Sequence, residues 1–235
     1  MTEKVRVFAD VNKQFIHGVW REGSSPNYYN IEDPYDNSLI EKVKLANTSD
    51  IDEAYRAAKA AQKHWAQVAK EEKTALIEKV SMIVDQNKDE LVDLLVRETG
   101  SSVLKANIEI QLTLGLMNEV KTYPSRMEPR IEPSVIPGKE NMVFREPAGV
   151  VSVISPFNFP FYLSMRAIAP AIATGNAVVH KPDIQTALSG GAIIGKIFEM
   201  AGLPPGVLNV ILTDIAEIGD RKSTRLNSSH SQISY

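Results

Sequence analysis

The stretch Gly149-Val-Val-Ser-Val-Ile-Ser-Pro-Phe-Asn-Phe-Pro160 indicates the fold of this chain. Its run Val150–Ile154 is mostly β-branched and apolar, as in a strand buried within a parallel sheet. The run stops at Ser155-Pro156, and Asn158 follows between two aromatic residues. Open α/β sheets bind ligands at the carboxyl ends of such strands. Asn158 is therefore a neutral hydrogen-bond donor at a position where a ligand is expected.

Strand and helix patterns alternate after this stretch. The spacing predicts helices over 162–173 and 186–201, and strands over 177–180 and 207–212. The resulting βαβαβ order predicts a parallel sheet with right-handed crossovers. No G-x-G-x-x-G follows the first strand, so the usual dinucleotide-binding fingerprint is absent.

The first half of the chain predicts short strands followed by four helices. Glycines and Asp/Asn turns punctuate residues 15–45. Ser49-Asp-Ile-Asp52 fits a capping pattern at the start of the first helix. Gly100 suits the left-handed position that ends the third helix. The fourth helix is predicted over 102–121, with three residues facing inward: Ile108, Leu112 and Leu116.

Residues 123–147 contain five prolines, which exclude a helix and predict an extended β-arm. Its strands are expected over 130–132 and 141–145. An arm of this kind either pairs with another subunit or lies as a hairpin on its own domain, and both alternatives stay open. The predicted organisation is one domain in two parts, 1–122 and 148–220, separated by this arm.

The last fifteen residues, 221–235, are Ser-rich and contain three basic residues but no acidic one. They show neither helical nor strand periodicity. We expect a disordered, non-native tail, and the alternative is a natural flexible tail.

Composition excludes several classes of function. The 235 residues carry a net charge of −3, which offers no electrostatic case for nucleic acid or an anionic membrane. No apolar run approaches the roughly 20 residues of a membrane span, and the N-terminus lacks a signal-peptide core. Zero Cys excludes disulfides, thiolate metal sites and a Cys nucleophile within this chain. A cytoplasmic location is the default expectation.

Pattern alone leaves the candidate residues with alternatives. Asn158 either donates to a developing oxyanion, or it caps the next helix or fixes the turn before Pro160. Lys181 either reaches a ribose or phosphate of a nucleotide or is a solvated strand terminus. His180 follows two Val residues and is expected to be structural, and the four His show no metal-site spacing. Arg166 is expected to be a surface cation, and Glu98 to end a helix.

Ser155-Pro-Phe-Asn-Phe-Pro160 resembles the Pro-Trp-Asn-Phe-Pro motif of the aldehyde dehydrogenase superfamily. Further motifs match in the family's order over about residues 10–219: Phe15-Ile-His-Gly-Val-Trp20, Asp33-Pro-Tyr-Asp36, Arg97-Glu-Thr-Gly100, Pro170-Ala-Ile-Ala-Thr-Gly-Asn176, Lys181-Pro182 and Gly202-Leu-Pro-Pro-Gly-Val-Leu-Asn209. Met165-Arg166 and Lys181-Pro-Asp-Ile-Gln-Thr186 resemble the benzaldehyde and vanillin dehydrogenase branch.

The resemblance implies a truncated α/β domain of the NAD(P)-binding, parallel-sheet type with an extended β-arm. It also implies oxidation of an aromatic aldehyde to its carboxylic acid with NAD or NADP, in a homo-oligomeric parent enzyme without a metal. The implied site residues are Asn158 for the oxyanion, Ile154, Ser155, Pro156 and Phe157 along the cofactor cleft, Lys181 at the adenosine ribose, and Phe159 and Leu163 at the edge of the aldehyde tunnel.

Departures from the family pattern qualify these expectations. Phe157 replaces the family's Trp, and Ala167 replaces a Lys found in many members. Ile184 stands where many NAD-preferring members have Glu, so use of both NAD and NADP, or a preference for NADP, is expected. The family's Cys nucleophile and Glu base lie after the point where this chain stops, so we expect the polypeptide to be catalytically incompetent. The alternative is a non-enzymatic dinucleotide-binding or subunit-interaction module.

Overall fold

The computed structural model describes residues 7–8 and 11–218. The strands are β1 (Gln14–Ile16), β2 (Val19–Arg21), β3 (Tyr28–Glu32), β4 (Leu39–Lys44), β5 (Arg130–Pro133), β6 (Glu140–Val143), β7 (Val150–Ile154), β8 (Ala177–Lys181) and β9 (Leu208–Val210). The helices are α1 (Thr48–Trp65), α2 (Lys70–Gln86), α3 (Lys88–Thr99), α4 (Val103–Val120), α5 (Tyr123–Arg126), α6 (Pro160–Ala173), α7 (Ile193–Met200) and α8 (Ile215–Ile218). The predicted tail, 221–235, lies outside the described residues.

The central sheet has the strand order β2-β1-β9-β8-β7. The strands β7, β8 and β9 are parallel, which confirms the predicted βαβαβ unit. At one edge, two strands from the start of the chain extend this parallel unit, since β1 pairs antiparallel with both β9 and β2. The buried side chain of Gln14 helps to hold β1 there, since its amide nitrogen donates to the carbonyl oxygen of Leu212 at 3.1 Å. The sheet is therefore mixed.

Helices cover both faces of this sheet, as the apolar character of its strands requires. Val178 packs in the larger core, on the side of α6 and α7. Its neighbours Ala177 and Val179 belong to a smaller core against Ala54 and Ala58 of α1. Successive residues of β8 thus face opposite layers. Because β7 and β8 are parallel, their carboxyl ends lie at the same edge of the sheet.

The cap of α1 differs from the prediction. The N-cap is Asn47, not Ser49, and its side-chain oxygen accepts from the backbone N–H groups of Ser49 and Asp50. The Asp50 carboxylate accepts in return from the backbone N–H of Asn47 at 2.9 Å, which completes a capping box. Asp50 is also bound by Arg21 at 2.7 Å, so the cap joins α1 to β2.

The inward face predicted for α4 is wrong in part. Ile108 and Leu112 are 45% and 44% exposed, while Leu116 is half-buried against the core. The polar residues Glu109 and Thr113 are fully buried instead. Burying them is possible because each has a hydrogen-bond partner, and sequence polarity alone does not reveal such partners.

The region 123–147 contains the predicted arm with one difference. The prolines do not exclude α5, because Pro124 lies in the first turn of this four-residue helix, where no N–H is required. The strands β5 and β6 then form an antiparallel hairpin with Arg130 opposite Val143. The hairpin exposes several apolar side chains: Ile131, Val135, Ile136, Met142 and Phe144.

The helix predicted over 186–201 is divided into three segments. A 3-10 turn covers Ile184–Thr186, a π-helical segment covers Leu188–Ala192, and α7 follows. Gly191 is required in the π segment, since a Cβ there would lie 2.4 Å from the Pro182 side chain. The other boundaries agree with the predictions to within about two residues. Within the described part of the chain, no helix is long and apolar enough to cross a membrane.

Replacing Gly100 with Ala is expected to destabilise the protein. Gly100 has φ of +65°, and an added Cβ would lie 2.9 Å from the Pro34 ring. The strained backbone and this contact together predict a loss of about 1–2 kcal/mol in the free energy of unfolding, measured by urea titration.

Gly115→Ala is the matched control. Gly115 lies within α4, and its added Cβ would meet no atom of the described structure within 4 Å. The same substitution should there stabilise the protein by about 0.5–1 kcal/mol. Equal effects of the two substitutions would contradict the assigned backbone conformation of Gly100.

Candidate functional site

The turn between β7 and α6 holds most of the predicted site residues. Ser155 begins it, and its backbone N–H donates to the carbonyl oxygen of Lys181 at 3.3 Å. The Ser155 hydroxyl is buried and accepts from the Ser164 hydroxyl at 2.7 Å. Ser155 thus attaches the turn to both β8 and α6, and its hydroxyl is directed into the protein.

The other residues of the turn face outward. Ile154 and Phe157 are 48% and 57% exposed, and Pro156 and Asn158 are also exposed. The amide of Asn158 is therefore accessible to a ligand at the carboxyl edge of the sheet. Such an amide can donate two hydrogen bonds without introducing a charge.

Phe159 and Leu163 lie at the start of α6, and both are half-buried. The backbone N–H of Leu163 donates to the carbonyl oxygen of Phe159 at 2.9 Å, which closes the first helical turn. The Lys105 amine lies 4.4 Å from the centre of the Phe159 ring, within the range of a cation–π contact.

Lys181 lies at the same edge as the β7 turn, because it pairs directly with Ile154 in the parallel ladder. Its side chain is half-buried, and its amine donates to the carbonyl oxygen of Pro182 at 3.1 Å. The structure therefore brings the predicted cofactor residues of two strands together. Ile184 is only 8% exposed and belongs to the larger core.

One cavity borders the turn itself, and another lies beside the first turn of α6. A groove of about 540 Å³ lies along the exposed face of α4, lined by Asn107, Ile108, Gln111, Leu112, Gly115, Leu116, Glu119 and Tyr162. A second cleft of about 330 Å³ is lined in part by Phe157, Gln185, Thr186 and residues of β3. The segment that carries Asn158 thus contributes Phe157 to one cavity and Tyr162, from the first turn of α6, to the other.

Glu109 of α4 is part of this site, and the sequence patterns missed it. Its Oε1 accepts from the backbone N–H groups of Phe161 and Tyr162 at 2.8 and 3.1 Å. Burial raises the pKa of Glu109, and the N–H of Tyr162 and the Lys105 amine act in the opposite direction. The signal that could have found it is a carboxylate on a helix otherwise rich in apolar residues.

Glu98 has an equivalent role at the next helix start. It is buried, and its two carboxylate oxygens accept from the N–H groups of Leu188 and Ser189 at 2.8 and 2.7 Å. Burial raises its pKa to about 7, although the hydrogen bonds from Ser189 and Leu188 lower it. The expectation that Glu98 merely ends α3 was therefore incomplete.

His180 is fully buried within β8. Its ring nitrogens lie 3.2 Å from the carbonyl oxygen of Val153 and 2.7 Å from that of Gly190. Burial lowers its pKa to about 4, so the ring is neutral near pH 7 and donates to one of the two carbonyls. The structural role expected for His180 is confirmed. Arg166 is exposed on α6, as expected for a surface cation.

Within the described residues, no group of three or more His, Cys, Asp or Glu side chains could hold a metal ion.

The aldehyde dehydrogenase family model matches residues 20–225. The chain belongs to this family. It is 50% identical over 213 residues to the benzaldehyde dehydrogenase of Bacillus subtilis, covering 91% of this chain and 44% of that protein. It is 45% identical to the vanillin dehydrogenase of Corynebacterium glutamicum, covering 90% of this chain and 44% of that one.

The fold agrees with solved structures of the aldehyde dehydrogenase family. The crystal structure of an NAD-dependent benzaldehyde dehydrogenase from Corynebacterium glutamicum superposes with a TM-score of 0.83 at 44% identity. The match covers 88% of this chain and 45% of that chain. The chain thus spans less than half the length of the curated relatives it matches, and the matched part contains the whole β7–β9 unit.

Replacing Glu98 with Gln is expected to change how stability depends on pH. Because the pKa of Glu98 is about 7 in the folded protein and 4.5 otherwise, its stabilising contribution is complete below about pH 4.5. That contribution is lost as the pH rises through 7. Gln cannot ionise, although its NH2 group leaves one of the two backbone N–H groups without an acceptor. The stability of E98Q relative to the unmodified protein should therefore rise by about 2–3 kcal/mol between about pH 5 and about pH 8.

The measurement is chemical unfolding of both proteins from about pH 5 to about pH 8. The difference between them must be used, since His180, with its pKa lowered to about 4, contributes a pH dependence of the opposite sign. A difference that does not change with pH would contradict the raised pKa of Glu98.

Proposed function

We propose that this chain is part of an enzyme that oxidises an aromatic aldehyde to the carboxylic acid with NAD or NADP. The observation that carries the proposal is the exposed amide of Asn158 on a turn between two cavities, one lined by Phe157 of the turn and one by Tyr162 of the following helix. Lys181 lies beside this turn at the same edge of the sheet. The benzaldehyde and vanillin dehydrogenases among its relatives favour an aromatic substrate.

The role proposed for Asn158 is electrostatic. When a nucleophile adds to an aldehyde, the carbonyl oxygen becomes an oxyanion, and a fixed amide N–H stabilises it without moving a proton. The two backbone N–H groups at the start of α6 are occupied by Glu109. The exposed side chain of Asn158 is therefore a donor that this turn offers in their place.

The groove along α4 is the proposed aldehyde side of the site. Ile108, Leu112 and Tyr162 give it apolar walls that suit an aromatic ring. Tyr162 is in the same helical turn as Phe159 and Leu163, the residues proposed to edge the aldehyde tunnel. Substrate bound there would have its carbonyl group near the start of α6.

The cleft beside Phe157 and the amine of Lys181 are the proposed cofactor side. Ile154, Pro156 and Phe157 offer an apolar surface, and Lys181 offers a donor to a ribose hydroxyl. The buried hydroxyl of Ser155 fixes the turn that carries this surface, because it accepts a hydrogen bond from the Ser164 hydroxyl. Bound there, the nicotinamide cofactor would accept the hydride from the substrate.

Position 184 bears on the choice of cofactor. Ile184 is buried and cannot bind the ribose 2′-hydroxyl as a carboxylate would. A 2′-phosphate also meets no negative charge from this side chain. We therefore propose that both NAD and NADP bind.

The chain contains no Cys, and this fact favours a second candidate function. The thiolate that attacks the aldehyde in this family cannot come from these 235 residues. The polypeptide by itself is therefore proposed to be inactive. As a separate protein it would be a non-enzymatic module that binds a dinucleotide or another subunit.

Cofactor binding is tested by calorimetric titration of the purified chain. NAD and NADP should bind with dissociation constants within about 10-fold of each other. Lys181→Ala should weaken both by about 10-fold, the value of a lost charge-assisted hydrogen bond.

Lys139→Ala removes the same charge from the exposed turn of the β-arm and should leave binding unchanged. If NAD bound more than about 100-fold tighter than NADP, the proposed dual use would be refuted. Absence of binding for both would refute the cofactor role of this cleft.

Turnover separates the two candidate functions. The purified 235-residue chain should produce no NADH or NADPH from benzaldehyde, and detectable production would contradict the proposed inactivity.

Genomic sequence across the codon of Asp220 decides whether a Cys-bearing frame continues. In such a longer protein, Asn158→Ala should lower kcat by about 10²–10³-fold with little change in KM.

Asn118→Ala is the control for this substitution, since it deletes an exposed amide from α4 outside the residues that line the groove. If N158A and N118A had the same kcat, Asn158 would have no role in the reaction.

A further inference from the structure

The residue before α6 provides no side-chain cap for the first turn of the helix. The residue before it, Phe159, has an apolar side chain, and Pro160 in its first position has no N–H. The next two backbone N–H groups, of Phe161 and Tyr162, need acceptors because no earlier helical carbonyl can reach them. Glu109, more than 50 residues earlier in the chain, supplies both through one oxygen.

Glu109 is held through one oxygen, Oε1, while its second oxygen, Oε2, accepts no hydrogen bond from the described residues. Its side chain is fully buried within α4, which packs against α6. The Lys105 amine lies 3.6 Å from its second oxygen, Oε2, and 4.4 Å from the centre of the Phe159 ring. Lys105 is anchored in turn by the Ser101 hydroxyl at 2.7 Å. One ion pair on α4 therefore contacts α6 on both sides of Pro160.

The opposite end of the Asn158 turn is also fixed. Ser155 is bound to Lys181 of β8 and to Ser164 of α6. Pro160 lies against Gly190, where an added Cβ would approach its ring to 3.0 Å. Asn158 lies midway between these anchors, three residues from Ser155 and three from Phe161.

We propose that Glu109 is a positioning residue for the side-chain amide of Asn158. It acts through the backbone N–H groups of Phe161 and Tyr162 and so fixes the backbone of the turn that carries Asn158. The catalytic meaning of this role rests on the proposed function of Asn158 as oxyanion donor. The positioning itself does not, because it is a property of the folded chain that is measurable without turnover.

Glu98 provides an internal comparison. It is a buried glutamate on the adjacent helix α3, and it accepts two backbone N–H groups at the start of the π-helical segment. Its removal should loosen residues 188–192. The same chemical change at position 109 should loosen residues 158–162 instead.

The test uses the purified chain labelled with ¹⁵N, with Glu109→Met as the main variant. Met has nearly the same length and no acceptor, and replacing a buried ion-pair member by an apolar residue of similar volume leaves many folds intact. In the unmodified chain the backbone order parameter of Asn158 should be near about 0.85, and in E109M below about 0.6. Amide exchange of Phe161 and Tyr162 should accelerate by roughly 10- to 100-fold.

Two further variants isolate the mechanism. Glu109→Gln keeps an acceptor oxygen and should restore the order of Asn158 and the protection of both amides. Glu98→Met should accelerate exchange at Leu188 and Ser189 and should change these three residues much less than E109M does. This pattern would not arise from a general loss of stability, which affects both segments in every variant.

The proposal is overturned if E109M folds and Asn158 keeps its order parameter. It is equally overturned if E98M loosens Asn158 as much as E109M does. If E109M does not fold, amide exchange of the unmodified chain tests the proposal. Unprotected amides at Phe161 and Tyr162 would show that they do not donate to Glu109. If these tests succeed while N158A retains full kcat in a longer protein, the positioning stands and the proposed oxyanion role fails.

Discussion

The backbone N–H groups in the first turn of a helix have no acceptor within the helix, and this constraint shapes the carboxyl edge of the sheet. Two helical segments begin near this edge: α6, after β7, and the π-helical segment Leu188–Ala192, after β8. Neither is capped by the side chain of the residue before it. Glu109 and Glu98 satisfy these N–H groups from α4 and α3. The helical layer thereby fixes the turns that follow both strands.

This solution has a consequence for ligand binding. In many α/β proteins the start of a helix beside the sheet binds a phosphate or another anion. Here internal carboxylates already occupy the N–H groups at both positions. A ligand bound at this edge would instead meet side chains, among them the exposed Asn158 and the half-buried Lys181. The absence of the glycine-rich fingerprint agrees with this arrangement, since no close approach of phosphate to these helix starts is required.

The structure also shows which sequence patterns were sufficient for prediction. The order of β7, β8 and β9 followed from apolar runs, and the end of α3 followed from Gly100, because both depend on local properties of the chain. The face of α4 was misassigned, since exposed Ile108 and buried Glu109 reverse the usual preference. The cap of α1 was misplaced by two residues, because Asn47 and Ser49 are both good capping residues and only the contacts choose between them.

The sequence by itself determined the βαβαβ order after Gly149, the family and the positions of Asn158 and Lys181 near strand ends. These features depend on side-chain periodicity and on motifs that are contiguous in the chain. The tertiary structure decided that Ile154 pairs with Lys181, that Phe157 of the Asn158 turn lines a cleft, and that Glu109 holds the start of α6. A buried carboxylate is stable only beside its hydrogen-bond donors, and those donors lie 52 and 53 residues away in the chain.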